Sequence, residues 1–439
     1  MAAEQDPEAL AAARPLLTDL YQATMALGYW RAGRAREQAE FELFFRGCPF
    51  GGAFALAAGL RDCVRFLRAF RLRDADVQFL ASVLPPDTEP AFFEHLRGLD
   101  CSDVTVRALP EGSLAFPGVP LLQVCGPLLV VQLLETPLLC LVSYASLIAT
   151  NAARLRLIAG PKKRLLEMGL RRAQGPDGGL TASTYSYLGG FDGSSNVLAG
   201  QLRGVPVAGT LAHSFITSFL GTEVPPNPAQ EIRKIFRTIS AQFQVPWLES
   251  VSITVSNNIN EEELARLAQE GSEVNVIGIG TNVVTCPRQP SLGCVYKLVS
   301  VGGQPRMKLT EDPEKQTLPG SKAAFRLLGA DGSPLLDVLQ LVDEPPPQAG
   351  QELRVWPRGA QEACTVRPAH VEPLLRLCVR RGQLCEPLPS LAESRAFAQL
   401  SLSRLSPEHK RLEQPAPYRV ALSDKLRALV DRLCAGGPS

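Results

Sequence analysis

Apolar and polar positions along the chain predict elements whose order changes character near Gly204. From Leu16 to Cys140, helical patterns such as Leu56–Leu72 mix with short β-prone runs such as Phe41–Phe45, which indicates an α+β domain. After Gly204, strand candidates alternate with helices, a pattern typical of a parallel sheet or barrel. We therefore expect an N-terminal α+β domain over 1–140 and an α/β barrel domain over 141–300.

The barrel region contains three strand candidates, at 205–209, 252–255 and 274–279. A helix is predicted over 229–243 because its apolar residues recur at helical spacing. These residues are Ile232, Ile235, Phe236, Ile239 and Phe243. A second helix is predicted to begin after the N-cap Asn260, with Glu263 three residues on, and to end before Gly271.

The C-terminal region, 301–439, is predicted to be a hairpin followed by a wrapping region. The runs Cys294–Val301 and Pro305–Leu309 flank a Gly302-Gly303 pair, which favours a β-hairpin. The tail from Pro345 is rich in proline and leucine, and we expect several short helices there.

Composition and charge narrow the class of protein. The chain has 439 residues, 45% of them apolar, and a net charge of +1 without a basic run. A nucleic-acid partner is therefore not expected. Polar residues and prolines interrupt the most apolar stretch, 119–150, so we interpret it as buried strand and helix and expect no membrane span.

Cysteine usage and the N-terminus indicate a cytosolic protein. The eleven cysteines show neither a CxxC metal pair nor a disulfide framework. The first fourteen residues contain acidic side chains and lack the apolar segment of a secretory signal.

His213 is the histidine whose position favours catalysis. It follows the first strand candidate of the barrel region, among glycine and hydroxyl residues. The carboxyl ends of barrel strands hold reactive groups, and a neutral imidazole can act as acid, base or phosphoryl acceptor. A structural role is the simpler interpretation of His95, His370 and His409.

Three other segments could handle phosphate or polar ligands. In 278–281 two glycines expose backbone N–H groups and Thr281 adds a hydroxyl, although a plain tight turn has the same pattern. The polar turn 190–196 is too rich in glycine and hydroxyls to be core. Arg171 and Arg172 offer guanidinium forks suited to phosphate, yet adjacent arginines also occur on ordinary surfaces.

Taken together and in order, these segments resemble the nicotinate phosphoribosyltransferase family. The matching motifs span residues 17 to 322. They are Leu17–Gln22, Glu135–Leu139, Gly169–Arg172, Gly190–Asn196, Gly209–Ser214, Ser256–Asn258, Gly278–Thr281 and Leu318–Lys322.

The resemblance implies a type II phosphoribosyltransferase fold, with an N-terminal α+β domain on an irregular α/β barrel, and a homodimer with its site at the subunit interface. It also implies condensation of nicotinate with 5-phosphoribosyl 1-diphosphate to nicotinate mononucleotide, assisted by ATP and Mg²⁺ or Mn²⁺. This reaction begins NAD synthesis from nicotinate.

The same resemblance assigns roles to individual residues. His213 would be phosphorylated transiently by ATP. Tyr21, contributed by the neighbouring subunit, would stack on the pyridine ring, and Thr210 and Ser195 would lie at nicotinate. The donor substrate, the phosphoribosyl diphosphate, would be bound by the residues Arg171, Gly280 and Thr281.

The chain departs from the family between 214 and 256. Two barrel segments of the family, of the Leu-Asp-Thr-Tyr and Val-Arg-Leu-Asp-Ser-Gly-Asp kinds, have no counterpart here. At ~30 residues per strand-helix-strand unit, about two or three units are missing, and with them the arginine that would pair with the nicotinate carboxylate. We expect an incomplete barrel that is weakly active or inactive.

Two alternatives stay open. The chain could be a non-catalytic form that dimerises with a full-length subunit. It could also be a quinolinate or nicotinamide phosphoribosyltransferase. The histidine motif argues against a quinolinate phosphoribosyltransferase. The neutral Ser195 argues against a nicotinamide phosphoribosyltransferase, since an aspartate at that turn would suit an amide substrate.

Overall fold

A computed structural model describes residues 14–209, 228–269, 272–308 and 315–436. The chain divides into two compact units, one formed by Met1–Ser146 with Ser291–Ser439 and the other by Leu147–Pro290. We refer to them as the split unit and the central unit. The finer division into 1–140, 141–300 and 301–439 stays a prediction.

The helices are α1 (Leu20–Arg31), α2 (Leu60–Ala69), α3 (Asp74–Val83), α4 (Pro90–Arg97), α5 (Leu128–Leu133), α6 (Glu135–Ala159), α7 (Gly175–Leu188), α8 (Val197–Arg203), α9 (Pro228–Phe243), α10 (Glu261–Gln269), α11 (Thr281–Thr285), α12 (Leu391–Arg404), α13 (Pro407–Lys410) and α14 (Asp424–Cys434). The strands are β1 (Gln38–Phe45), β2 (Ala55–Leu56), β3 (Thr105–Ala108), β4 (Leu114–Ala115), β5 (Leu122–Pro127), β6 (Arg164–Glu167), β7 (Gly193–Ser194), β8 (Thr254–Ser256), β9 (Val276–Ile279), β10 (Cys294–Val301), β11 (Gln304–Pro305), β12 (Lys322–Leu328), β13 (Pro334–Leu341), β14 (Leu353–Pro357), β15 (Cys364–Val366), β16 (His370–Pro373), β17 (Arg376–Arg380), β18 (Gln383–Leu384) and β19 (Val420–Leu422).

A seven-stranded antiparallel sheet forms one layer of the split unit, in the order β11-β10-β1-β5-β3-β17-β18. The strand predicted at 41–45 is confirmed within β1, which is buried over nearly its whole length. The predicted hairpin around Gly302-Gly303 is confirmed as β10 and β11. Its second strand is shorter than predicted.

Two acidic side chains of β1, Glu40 and Glu42, are buried in this sheet. Burial of a carboxylate costs free energy unless the carboxylate is paired. Glu42 accepts a hydrogen bond from Gln123 Nε2 at 2.9 Å and lies 3.2 Å from Lys322 Nζ. Burial still raises the pKa of Glu42, against the opposing charge of Lys322. Lys322 also donates to the carbonyls of Leu318 and Gly320, each at 2.7 Å.

A second sheet of the split unit has six strands in the order β15-β14-β19-β13-β12-β16. Its buried core cluster consists of Phe325, Leu327, Leu336, Val338, Val355 and Ala421. The tail prediction is therefore only partly right: short helices are present as α12, α13 and α14, but the strands β14 to β19 were not predicted. Frequent prolines obscured the two-residue alternation of these short strands.

The helix predicted over Leu56–Leu72 is shorter, because α2 begins only at Leu60. Gly59 has a left-handed backbone, φ +99°, and a Cβ there would lie 2.3 Å from the carbonyl oxygen of Leu141. A residue with a side chain and helical backbone angles does not fit at this position, so the helix does not extend before Leu60. The preceding residues Ala55–Leu56 form β2 instead.

The apolar stretch 119–150 forms β5, α5 and much of α6, as predicted for buried strand and helix. Helix α6 is long and apolar enough to cross a membrane by length and composition alone. Within its most apolar window, however, 72% is buried inside the protein. This burial is typical of a core helix.

The central unit contains a four-stranded parallel sheet in the order β7-β6-β9-β8. The strands predicted at 252–255 and 274–279 are confirmed as β8 and β9, while 205–209 forms only a single parallel bridge, from Val207 to Ser194. The last strand, β9, lies beside the first, β6. We call this β6–β9 pairing the seam, because it is the pairing that closes a parallel barrel.

The sheet is open on the side opposite the seam. Among the described residues no strand pairs with the outer edge of β8, and Val207 at the other edge is 52% exposed. Helix α9 confirms the helix predicted over 229–243, but its apolar stripe is exposed: Ile235 is 52% and Phe243 64% exposed. In a complete barrel such a stripe would be covered by further elements.

Candidate active site

Four loops of the central unit leave the sheet at the same edge. Glu167 of β6 is in register with Ser194 of β7 and with Ile279 of β9, so these strands end at one level. Parallel strands present the residues after their carboxyl ends on one side. The loops are 168–172 after β6, 195–196 after β7, 280–281 after β9 and 257–258 after β8.

The loops after β6 and β9 touch each other directly. A Cβ at Gly169 would lie 2.7 Å from the carbonyl oxygen of Gly280 and closer still to the side chain of Val284. Only glycine therefore permits this approach. The contact brings the turn that carries Arg171 beside the turn that carries Gly280 and Thr281.

Arg171 lies in a short 3-10 turn, Leu170–Arg172, and is exposed. Among the described residues, neither Arg171 nor Arg172 has a hydrogen-bond acceptor or an acidic partner for its guanidinium group. A guanidinium that is unpaired at the mouth of a site is available to a phosphate group.

Gly280 and Thr281 form the beginning of α11, with Thr281 exposed. Amide groups hold this turn from behind: Asn151 Nδ2 donates to the carbonyl of Asn282 at 2.8 Å, and Asn282 Nδ2 donates to the carbonyl of Ile259 at 2.8 Å. The turn is thus fixed by side chains that do not occupy the exposed edge.

A buried carboxylate, Glu167, organises the loops after β6 and β7. Its Oε1 accepts the backbone N–H of Gly169, and its Oε2 accepts the hydroxyls of Ser183 at 2.7 Å and Ser194 at 2.5 Å. Asn196 extends the network, since its Nδ2 donates to Ser183 Oγ at 3.1 Å. All four side chains are at least nine-tenths buried.

Ser195 is half-buried, and its backbone N–H donates to the carbonyl of Glu167 at 2.9 Å. Asn196 beside it caps α8 by accepting the N–H of Ala199. The turn 193–196 is therefore held at both ends. Sequence reasoning selected this turn but missed Glu167 and Ser183; a lone carboxylate ending a short apolar strand was the available signal.

The loop after β8 has strained backbone at two non-glycine residues, Asn257 with φ +153° and Asn258 with φ +48°. Backbone of this kind is uncommon outside glycine and is found at ligand sites. It marks the Ser256–Asn258 motif as a fourth component of the same edge.

Tyr21 belongs to the split unit, on α1, and is 46% exposed. Burial, followed by the charge of Glu135, raises its pKa, so the phenol is neutral at physiological pH. Behind it, Gln22 Nε2 donates to Glu135 Oε2 at 2.8 Å and Gln132 Nε2 donates to Gln22 Oε1 at 2.6 Å. Thr210 and His213 lie outside the described residues.

Models of known families match both ends of the chain: the nicotinate phosphoribosyltransferase N-terminal domain at residues 16–143, and the C-terminal domain of the same enzyme at residues 321–430. The human nicotinate phosphoribosyltransferase is 72% identical over 535 aligned positions, which cover 99% of each protein. The chain belongs to the nicotinate phosphoribosyltransferase family. Membership confirms the predicted transferase class and its connection with NAD synthesis.

Solved structures support the same assignment. The crystal structure of human nicotinic acid phosphoribosyltransferase superposes with a TM-score of 0.85 at 68% identity, covering 95% of this chain and 100% of that one. The nicotinate-nucleotide pyrophosphorylase of Pyrococcus furiosus, at 19% identity and a TM-score of 0.64, covers 92% of this chain and 98% of that one and shares the fold. The predicted fold class is confirmed.

The alignment with the human enzyme also bears on the shortened barrel. The alignment extends over 535 positions, whereas this chain has 439 residues. The sequence of this chain is therefore interrupted by long gaps in the alignment. The open side of the parallel sheet, between Val207 and β8, is the place in the fold where barrel strands are absent among the described residues.

Proposed function

We propose that this family member has the site for ATP-assisted condensation of nicotinate with 5-phosphoribosyl 1-diphosphate to nicotinate mononucleotide, and that its turnover is weak or absent. The observation that carries the proposal is the convergence of Arg171, Ser195, Gly280 and Thr281 at one edge of the parallel sheet. Attack by the pyridine nitrogen at the anomeric carbon requires such a polar edge to stabilise the departing diphosphate.

In this proposal the donor substrate occupies the seam side of the edge. The unpaired guanidinium of Arg171 binds the diphosphate. The Thr281 hydroxyl and the N–H groups of the turn at Gly280 bind the sugar phosphate, because a glycine lets the ligand approach the backbone. The contact of Gly169 with Gly280 holds these groups in one cradle.

Nicotinate occupies the neighbouring position, near Ser195 and Thr210. A neutral serine accommodates the acid, whereas an aspartate would repel its carboxylate. The exposed phenol of Tyr21 stacks on the pyridine ring from a second subunit, so the proposed active form is a homodimer. The proposed location is the cytosol, and all eleven cysteines are free thiols.

ATP transfers its γ-phosphoryl group to His213, which carries it transiently. A divalent ion, Mg²⁺ or Mn²⁺, would neutralise charge on the diphosphate. The described residues contain no cluster of three or more potential metal ligands, and both oxygens of Glu167 are already occupied by hydrogen-bond donors. The ion therefore fits as a partner of substrate phosphates, not of a protein cage.

Weak turnover follows from the open side of the sheet. The family segments that are absent would supply the arginine for the nicotinate carboxylate and aspartates for the phosphoribosyl pocket. Without the arginine, desolvation of the nicotinate carboxylate is left uncompensated. The phosphate contacts of Arg171, Gly280 and Thr281 are retained in this proposal, whereas the nicotinate position lacks its arginine and the phosphoribosyl pocket lacks its aspartates.

The test is formation of nicotinate mononucleotide from nicotinate, the diphosphate donor and ATP, with separate measurement of donor binding by calorimetry. We expect donor binding that Arg171→Ala weakens, and a slow turnover, if any, that His213→Ala abolishes. His95→Ala, a change in the split unit, is the matched histidine control. Turnover at the rate of a full-length relative would refute the proposal of a weak form, and donor binding insensitive to Arg171→Ala would refute the proposed cradle.

A second candidate function is that of a non-catalytic subunit that dimerises with a full-length one. The exposed apolar side chains of the central unit favour it, since Ile235, Phe243 and Trp247 are each more than half exposed. Co-purification of a tagged full-length subunit with this chain tests it. An exclusively monomeric or aggregated chain would rule it out.

A further inference from the structure

Two cysteines lie at neighbouring positions on the two sides of the hairpin that ends the seven-stranded sheet. In this hairpin β17 pairs with β18, and Val379 lies opposite Leu384. One step further from the turn, Cys378 lies opposite Cys385, and the backbone N–H of Cys385 donates to the carbonyl of Cys378 at 2.9 Å. This hydrogen bond connects the two cysteines just beyond the end of β18, at Leu384.

The turn fixes this register. Its two residues, Arg381 and Gly382, have φ +46° and +73°, the left-handed pair of a type I′ turn. Gly382 is anchored by its N–H, which donates to the carbonyl of Val104 at 2.8 Å, and a Cβ there would lie 2.9 Å from the carbonyl oxygen of Cys101. The hairpin cannot slip by one residue without losing these contacts.

The spacing suits a covalent bond. Directly opposite residues of a hydrogen-bonded antiparallel pair have Cα atoms about 5.5 Å apart and side chains on the same face. Disulfides form at Cα separations of roughly 4.4–6.8 Å. Cys378 and Cys385 extend the antiparallel register of the hairpin by one position and are joined by one backbone hydrogen bond, which places them at a spacing of this order.

The two thiols differ in their surroundings. Cys385 is exposed, whereas Cys378 is half-buried, and burial followed by the charge of Cys385 raises the pKa of Cys378 to about 11. The exposed thiol is thus accessible to small reagents, whereas the thiol of Cys378 donates to the carbonyl of Arg376 at 3.4 Å.

We propose that Cys378 and Cys385 form a reversible dithiol–disulfide site that exchanges with low-molecular-weight disulfides. The Cys385 thiolate attacks a sulfur of the small disulfide, which forms a mixed disulfide and releases one small thiol. Cys378, after losing its proton, attacks the Cys385 sulfur and displaces the second small thiol. Two electrons and two protons pass from the protein to the small disulfide.

The other exposed thiols lack this arrangement. Cys140 lies on α6 and Cys434 on α14, and neither has a cysteine opposite it in a strand ladder. They serve as internal controls, because exposure alone permits a mixed disulfide but provides no resolving thiol.

The experiment incubates the full chain with oxidised glutathione, blocks free thiols with an alkylating reagent and digests with trypsin without reduction. Trypsin separates the peptide 377–380 from the peptide 382–395. We expect these two peptides to be recovered linked by a disulfide, two hydrogens lighter than their sum. The yield should be independent of protein concentration and reversed by reduced glutathione.

Matched variants separate the proposed exchange from ordinary thiol oxidation. Cys378→Ser should leave Cys385 as a stable glutathione adduct, and Cys385→Ser should slow modification of Cys378 several-fold. Recovery of Cys385 in the wild-type chain as a glutathione adduct, like Cys140 and Cys434, would overturn the proposal. So would linked peptides whose yield rises with protein concentration, since those would arise between chains.

Discussion

Replacing Glu167 by glutamine tests whether this buried carboxylate positions the loops of the site. The variant keeps the shape of the side chain but removes its charge. Its amide oxygen can still accept from Gly169, whereas its NH₂ group cannot accept and must instead donate to the hydroxyls of Ser183 and Ser194, so at best three charge-assisted hydrogen bonds become neutral ones. A charge-assisted bond contributes about 1.5–3 kcal/mol and a neutral one about 0.5–1.5 kcal/mol, so the loss is about 3 kcal/mol.

Thermal unfolding and donor binding measure that loss. At about 2–4 °C per kcal/mol for a domain of 150–250 residues, the unfolding temperature of the central unit should fall by about 6–12 °C. If half of the loss appears as loop order that the ligand must restore, affinity for 5-phosphoribosyl 1-diphosphate should fall about tenfold. Glu262→Gln, which changes an exposed carboxylate of the same unit, is the control. An unfolding temperature and affinity equal to those of that control would refute the positioning role.

Three further changes test the frame around the site. Arg326→Met leaves Asp337 buried without its bidentate partner, so the free energy of unfolding should fall by about 3–5 kcal/mol. A thermal or urea unfolding curve measures this loss, and Arg354→Met, at an exposed arginine, is the control that should change little. Burial raises the pKa of Glu42, so its protonated form favours the folded state: that contribution is complete below the unfolded value, about 4.3, and is lost as pH rises through the folded pKa. Glu42→Gln should flatten this part of the pH–stability profile, and an unchanged slope would contradict it. Asn260→Ala removes the cap of α10 and should cost about 1 kcal/mol, with little effect on donor binding; no stability change would show that the cap is redundant.

Local chemistry made much of the central unit predictable. The cap at Asn260, the apolar run of β9 and the glycines of 278–281 each carry a signal within a few residues. The cap, the strand and the turn after it are present in the structure, while the ligand role of Gly280 and Thr281 stays a prediction. The turn 190–196 was selected for its hydroxyl content, but the prediction that it lies outside the core is wrong. Ser194 and Asn196 are buried, because Glu167 and Ser183 hydrogen-bond their polar groups.

Features that depend on distant partners were not predictable. Glu167 ends an apolar strand, and its role appears only when Ser183 and Ser194 converge on it. The apolar stripe of α9 predicts a buried helix face, yet Ile235 and Phe243 are exposed. A periodic pattern shows which face is apolar, but it does not show whether another element covers that face. The strands after Leu353 were missed because prolines interrupt their alternation.

The seam has a consequence for how the central unit folds. Leu166 of β6 pairs with Gly278 of β9, so a loop of about a hundred residues must close before the seam gains its hydrogen bonds. Each doubling of a loop costs only about 0.6 kcal/mol of closure entropy. The shorter connection of this chain therefore lowers the entropic cost of closing the seam only slightly. By contrast, each large apolar side chain that is exposed because its covering strand is absent costs about 1.5–3 kcal/mol of stability. The loss of covering strands therefore affects the stability of the finished unit more than the closure of the seam.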